Sequence, residues 1–211
     1  MTLHSVPLKR ATLASTFALA LLASLPAGAA PLEVLVTNAA GKPLPGAVVF
    51  VESPQARAAL KPTAGIEIAQ VGRQFVPQVS IVPVGSAVNF PNRDTVRHHV
   101  YSFSPVKPFE IKLYVGTPAS PVVFDKAGIA VLGCNIHDSM VAWVVVVDTP
   151  YHGQTGADGR LTLPDLPPGS YKLRGWHASL PAGAAAVEQA LTIGIGGTAE
   201  KASLQLAGAK P

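Results

Sequence analysis

Between residues 66 and 147 the chain is cut by turn signals about every 8–12 residues, and the runs between the cuts are short and β-rich. Ile66–Val71, Gln78–Val82, Ala87–Phe90, Val100–Phe103, Phe109–Tyr114, Pro121–Phe124, Ile129–Gly133 and Ala142–Val147 each read as a strand. Punctuation this close leaves no room for a long helix and fits a sandwich or barrel. Val144–Val147 is a continuous apolar run, which predicts a strand covered on both faces. Composition agrees: 19 glycines and 20 prolines in 211 residues supply the turns. Only 13% of residues are charged, against about 25% in ordinary domains, which excludes a coiled coil and a charge-rich disordered chain.

The flanking segments also read as strands. Leu32–Thr37 and Ala47–Val51 are joined through the turn-forming run from Asn38 to Pro43, and residues 53–65, with Pro54, Pro62 and Gly65, read as a connection. Beyond Gln154, the turns Gly156-Ala157-Asp158-Gly159 and Pro167-Pro168-Gly169 frame the strands Arg160–Leu163 and Ser170–Trp176. Ala182–Ala186 reads as a short helix or a loop, and Ala190–Ile195 and Ala202–Leu206 as closing strands. The predicted fold class is therefore all-β. Gly41-Lys42-Pro43-Leu44-Pro45-Gly46-Ala47-Val48-Val49 resembles the opening of a carboxypeptidase-regulatory-like, transthyretin-type sandwich. Thr155–Leu163 and Leu166–Leu173 resemble that family's later segment, "T-D-x-D-G-R-F-x-L…L-P-x-G-x-Y-x-L", but lie roughly 100 residues too late. The resemblance implies a discontinuous outer, transthyretin/Ig-like sandwich of residues 30–60 with 150–211, into which residues 65–149 are inserted. The alternative is two sequential domains, with the N-terminal strands belonging to the middle one.

Residues 1–29 read as a secretory signal peptide: Lys9 and Arg10 form the charged start, Ala11 to Leu25 the apolar stretch, and Ala27-Gly28-Ala29 the cleavage site. The expected location is the periplasm, with no membrane span in the mature chain. Loss of this segment lowers the formal net charge from +4 to +2, and no Lys/Arg-rich run speaks for nucleic-acid binding. The chain has one cysteine, Cys134, so an internal disulfide is impossible. An odd cysteine in an exported protein is an intermolecular bridge, a reactive thiol or a metal ligand.

Its neighbours point to the last. Cys134-Asn135-Ile136-His137-Asp138-Ser139-Met140 places a thiolate, an imidazole and a thioether within seven residues. A second imidazole lies upstream in Asn92-Arg93-Asp94-Thr95-Val96-Arg97-His98-His99-Val100. One Cys, two His and a weak axial Met make a type 1 copper site. Soft sulfur suits Cu(I) and nitrogen suits Cu(II), so such a set serves both states with little rearrangement. Structural zinc seldom uses Met and usually shows paired Cys or His motifs. Asp94 and Asp138 form no paired-carboxylate or nucleophile–base pattern, so no enzyme is predicted.

Residues 65–148 resemble the cupredoxins, above all plastocyanin and amicyanin. Gly85–Asp94 is similar to the family's "G-x-x-V-x-W/F-x-N-x-D", His98-His99-Val100 to its "H-N-V", and Gly128–Cys134 to its "G-x-Y-x-Y-x-C" strand. The short Cys134–His137–Met140 loop is like that of amicyanin. Proteins of this composite layout are often labelled methylamine utilization proteins, a label that by itself proves no role in that metabolism. The resemblance implies a Greek-key β-sandwich that holds one copper through His98, Cys134, His137 and Met140. Asn92, Asn135 and His99 would stand behind the ligands. His99 replaces the family's Asn, whose side chain ties the two ligand loops, so it takes over that tie or competes as ligand. Strand alternation lets only one of His98 and His99 face the metal, and register with Val100 favours His98. His137 would be the electron exit, framed by Ile136, Ser139 and Pro105 as a docking patch for a redox partner such as a cytochrome or a periplasmic dehydrogenase or oxidase. Two rivals are copper storage or delivery, disfavoured because Met1 and Met140 are the only methionines, and a non-redox binding or adhesion sandwich.

Overall fold

The computed structural model describes residues 1–2 and 28–210. The expected signal segment falls almost wholly outside the described residues. The first described stretch forms β1 (Ala30–Asn38) and β2 (Val48–Glu52), then a short helix α1 (Pro54–Ala59). The middle forms β3 (Ile66–Glu67), β4 (Ala69–Val71), β5 (Gln74–Val76), β6 (Val79–Pro83), β7 (Ser86–Asn89), β8 (His98–Ser102), β9 (Phe109–Tyr114), β10 (Val122–Phe124), β11 (Gly128–Gly133) and β12 (Val141–Val147). The last part forms β13 (His152–Gln154), β14 (Arg160–Leu166), β15 (Gly169–Trp176), β16 (Val187–Ile193) and β17 (Glu200–Leu206). The chain is all-β. No helix among the described residues is long and apolar enough to cross a membrane.

β1 lies between β14 and β17, and β2 between β13 and β15, with β16 beyond β15. The alternating burial of β1 sends Leu32, Val34 and Val36 into one apolar cluster with Val49 and Val51 of β2 and Leu163, Leu173, Ile193 and Leu204 from the far end of the chain. Thr155 fastens the two parts: its hydroxyl donates to the Leu44 carbonyl at 2.7 Å and accepts from the Ala47 N–H at 2.9 Å.

The middle strands form a three-stranded sheet, β10-β7-β3, and a five-stranded one, β6-β12-β11-β8-β9. Val88 and Phe124 from the first sheet and Val82, Val100, Ala130, Leu132, Ala142, Val144 and Val146 from the second share a separate apolar cluster. β12 is covered on both sides, as its uninterrupted valines predict. Its odd-numbered residues Trp143, Val145 and Val147 pack with Val48 and Phe50 of β2 and Trp176 of β15.

Local departures from the sequence reading have local causes. Ile66–Val71 splits because β3 pairs parallel with β7, while β4 turns back on β5 as a hairpin. The expected connection at 53–65 contains α1, whose start was written in Ser53-Pro54: the Ser53 hydroxyl accepts from the Ala56 N–H at 3.1 Å and Pro54 occupies the first turn. Of the two readings of Ala182–Ala186, helix or loop, the structure shows the loop.

Candidate metal centre

The upstream part of the site is the loop from β7 to β8. Asn92 is buried and organises it: its amide donates to the carbonyls of Val96 at 2.9 Å and Tyr114 at 2.8 Å, and its side-chain oxygen accepts from the Asp94 N–H at 3.0 Å. His98, the first residue of β8, is fully buried. Its Nε2 stands 2.8 Å from Asp94 Oδ2. The Asp94 carboxylate also accepts from the backbone N–H of Gly72 at 2.6 Å and Arg73 at 2.9 Å. These donors, with the Arg73 N–H first and His98 after it, hold the Asp94 carboxyl below its ordinary range.

The downstream part is the loop from β11 to β12. A bond from the Met140 N–H to the His137 carbonyl at 2.9 Å and one from the Val141 N–H to the Ser139 carbonyl at 3.1 Å give it a compact form. Cys134 and Met140 are 3% and 1% exposed and belong to the middle apolar cluster, while His137 is half-buried. Tyr114 closes the interior behind them: its hydroxyl donates to the Phe90 carbonyl at 2.6 Å, and burial, with the charge of Cys134, pushes its phenol up.

The two loops meet. One ligand atom each from His98, Cys134 and His137 lie within 4.8 Å of one another. The two imidazole rings are 5.0 Å apart at their centroids and inclined by 60°. Nδ1 of both rings is buried without a hydrogen-bond partner. Buried polar atoms are nearly always paired, so two orphaned imidazole nitrogens beside a thiol are unsatisfied as they stand. A cation that accepts two nitrogens and a sulfur satisfies all three, and the set suits a soft or borderline transition metal, not a hard oxygen-seeking one.

The other expected residues divide. His99 is buried but points to the opposite side of β8: its Nε2 is 3.0 Å from Glu110 Oε1 and its ring lies against Tyr101. Asn135, Ile136 and Ser139 are exposed on the loop from β11 to β12. Pro105 lines a cleft with Ala127, Gly128, Val131 and Val141, and His137 is not among its lining residues. Two groups escaped the sequence reading. Asp94 stands four residues before His98, a spacing that offers a carboxylate to the ring. Gly133 lies under the Tyr101 ring, and a Cβ there would come within 2.6 Å of it.

No family model matches the chain. No curated protein matches it. Among solved structures, a purple cupredoxin from Nitrosopumilus maritimus is 22% identical, with 39% of this chain and 100% of that one covered and a TM-score of 0.35. A reduced Cu(I) form of an amicyanin variant is 23% identical, with 47% and 98% covered and a TM-score of 0.36. A copper-containing nitrite reductase from Thermus scotoductus is 23% identical, with 53% of this chain but only 28% of that one covered and a TM-score of 0.37. Overlaps this slight carry no functional reading, which rests on the geometry of the site.

Proposed function

We propose that this is an exported blue-copper protein of cupredoxin type that carries single electrons, with His98, Cys134, His137 and Met140 as ligands of one copper. The convergence of two imidazoles on a buried thiol, each ring with an unpartnered Nδ1, carries the reading. Copper bound there supplies a one-electron Cu(II)/Cu(I) couple. The chain's own part is rigidity. His98 begins a strand, Cys134 and Met140 bracket the turn between two more, and the loop's internal hydrogen bonds hold His137. A ligand set fixed in this way serves both oxidation states with little movement. His98, Cys134 and Met140 are enclosed, which favours a carrier over an enzyme that admits substrate. The half-buried His137, with exposed Ile136 and Ser139 beside it, is the exit toward an exported redox protein, a cytochrome, dehydrogenase or oxidase.

Residues 65–149 are the cupredoxin unit in this reading, inserted into a carboxypeptidase-regulatory-like sandwich of residues 30–60 and 150–211. The pairing of β1 with β14 and β17, and of β2 with β13 and β15, supports it. The segment 1–29 supports a periplasmic location.

The test is copper binding followed by a redox titration of wild type, His98→Ala and His99→Ala. Wild type and His99→Ala should bind one copper and take up one electron reversibly, while His98→Ala should lose most of its copper affinity. The reverse order would put the upstream ligand on the other face of β8.

A further inference from the structure

We propose that Asp94 is a positioning residue of the metal centre: its carboxylate fixes the ring of His98 with the proton on Nε2, so that Nδ1 faces Cys134 and His137 as a free lone pair. The proposal rests on the copper reading above and adds a residue to it.

Three observations converge. The first is the 2.8 Å contact between Asp94 Oδ2 and His98 Nε2. An ionised carboxylate only accepts hydrogen bonds, so this contact puts a proton on Nε2, and in the neutral ring Nδ1 is then the lone pair. The second is that Nδ1, not Nε2, is the atom left buried and unpaired. The third is how Asp94 itself is held. Val71 pairs with Gln74 across the β4–β5 hairpin, so Gly72 and Arg73 form a two-residue turn, and both have positive φ, 60° and 59°. That is the backbone of the mirror-image hairpin turn, which glycine adopts freely and arginine does not. A non-glycine residue in the left-handed region persists where the surroundings hold it there. Here the turn aims two successive N–H groups at Asp94. They anchor the carboxylate as an anion, and the anion anchors the ring. Such partners behind a ligand orient it and raise its basicity, and their loss typically costs about 10–100-fold in metal affinity. The negative charge one imidazole away from the metal also favours the more highly charged oxidation state, so it lowers the reduction potential.

A merely structural Asp94, one that pins the hairpin to the loop, would leave the His98 tautomer and the potential unmoved. The experiment compares wild type, Asp94→Asn and Asp94→Ala. In the metal-free, ¹⁵N-labelled proteins at neutral pH, long-range ¹H–¹⁵N correlation reads which ring nitrogen of His98 carries the proton. Wild type should show Nε2–H, and Asp94→Ala should lose that preference. In the copper-loaded proteins, Asp94→Ala should bind Cu(II) about 10–100-fold more weakly. Asp94→Asn keeps an acceptor but no charge, so it should lose less affinity and show a raised potential. The proposal is overturned if Asp94→Ala keeps the wild-type tautomer, affinity and potential while wild type is blue, and the copper reading then stands alone. If Asp94→Ala does not fold, an unchanged affinity and potential in Asp94→Asn overturns it equally. If wild type takes up no copper, the copper reading fails by itself. The tautomer comparison then decides the orienting role: a changed tautomer sustains it and an unchanged one overturns it.

Discussion

A thiol 3% exposed in an apolar cluster is ordinarily an inert filler. What sets Cys134 apart is that it lies beside two imidazoles, each with an unpartnered Nδ1. Most of the proposed ligand set is legible in the sequence, because Cys134, His137 and Met140 lie within one turn-sized segment and must be close in any fold. His98 was legible through strand parity, which puts His99 on the opposite side from it. Asp94 was not, because its role depends on donors at Gly72 and Arg73 that only the folded hairpin brings to it. Gly133 carries the plainest residue-level prediction. Gly133→Ala would drive a methyl group into the Tyr101 ring, which lies 2.6 Å from the Cβ position. Displacement of that ring should cost about 1–3 kcal/mol, as overpacking does, read as a lower denaturation midpoint in urea. An unchanged midpoint would mean that Tyr101 moves freely.

At the scale of strands and turns, the segments outside residues 65–149 carry their own pH sensitivity. His177, just after β15, donates from Nε2 to the Pro45 carbonyl at 3.1 Å, and its Nδ1 accepts from the Ser179 N–H at 3.1 Å. His152 sits on β13. Burial holds both imidazoles below the ordinary value of 6.5, although the Pro45 carbonyl opposes the effect at His177. As pH falls through about 6.5 the unfolded chain takes up protons that the folded one refuses, so stability falls with it, and above that pH neither group contributes. The melting temperature of the copper-loaded protein should be level from about pH 8 to 7 and decline below about 6.5. The double substitution His152→Gln and His177→Gln should flatten that decline. An equal decline in both proteins would place the sensitivity elsewhere. The elements that sequence pattern missed are those too short to show a period. β5 and β13 have three residues each and exist because a partner strand lies beside them.

For the molecule as a whole, the inserted layout makes opposite predictions for two fragments. Residues 65–149 contain their own apolar cluster and all four proposed ligands, so that fragment alone should fold and bind copper, with the Trp143, Val145 and Val147 face of β12 left uncovered. Residues 31–149 would keep β1 and β2 but remove β14, β15 and β17, which leaves apolar faces bare and strand edges unpaired. That fragment should aggregate. If only the longer fragment folds, the sequential layout is correct. The late arrival of the Asp158-Gly159-Arg160 segment is the sequence feature that suggests the inserted layout. The burial of Trp143 and Val145 against Phe50 and Trp176 was not readable, because an apolar face does not name the surface that covers it.

The central claim is that His98, Cys134 and His137 bind copper through a thiolate and two imidazoles, and the visible absorption spectrum of the Cu(II)-loaded full-length protein tests it most directly. An intense band at about 600 nm, the mark of copper–thiolate bonding in a trigonal His2Cys site, should appear with one equivalent of copper. It should vanish on reduction and be missing from a folded Cys134→Ser variant. A copper-loaded wild type without that band, or a Cys134→Ser variant that retains it, would contradict the account.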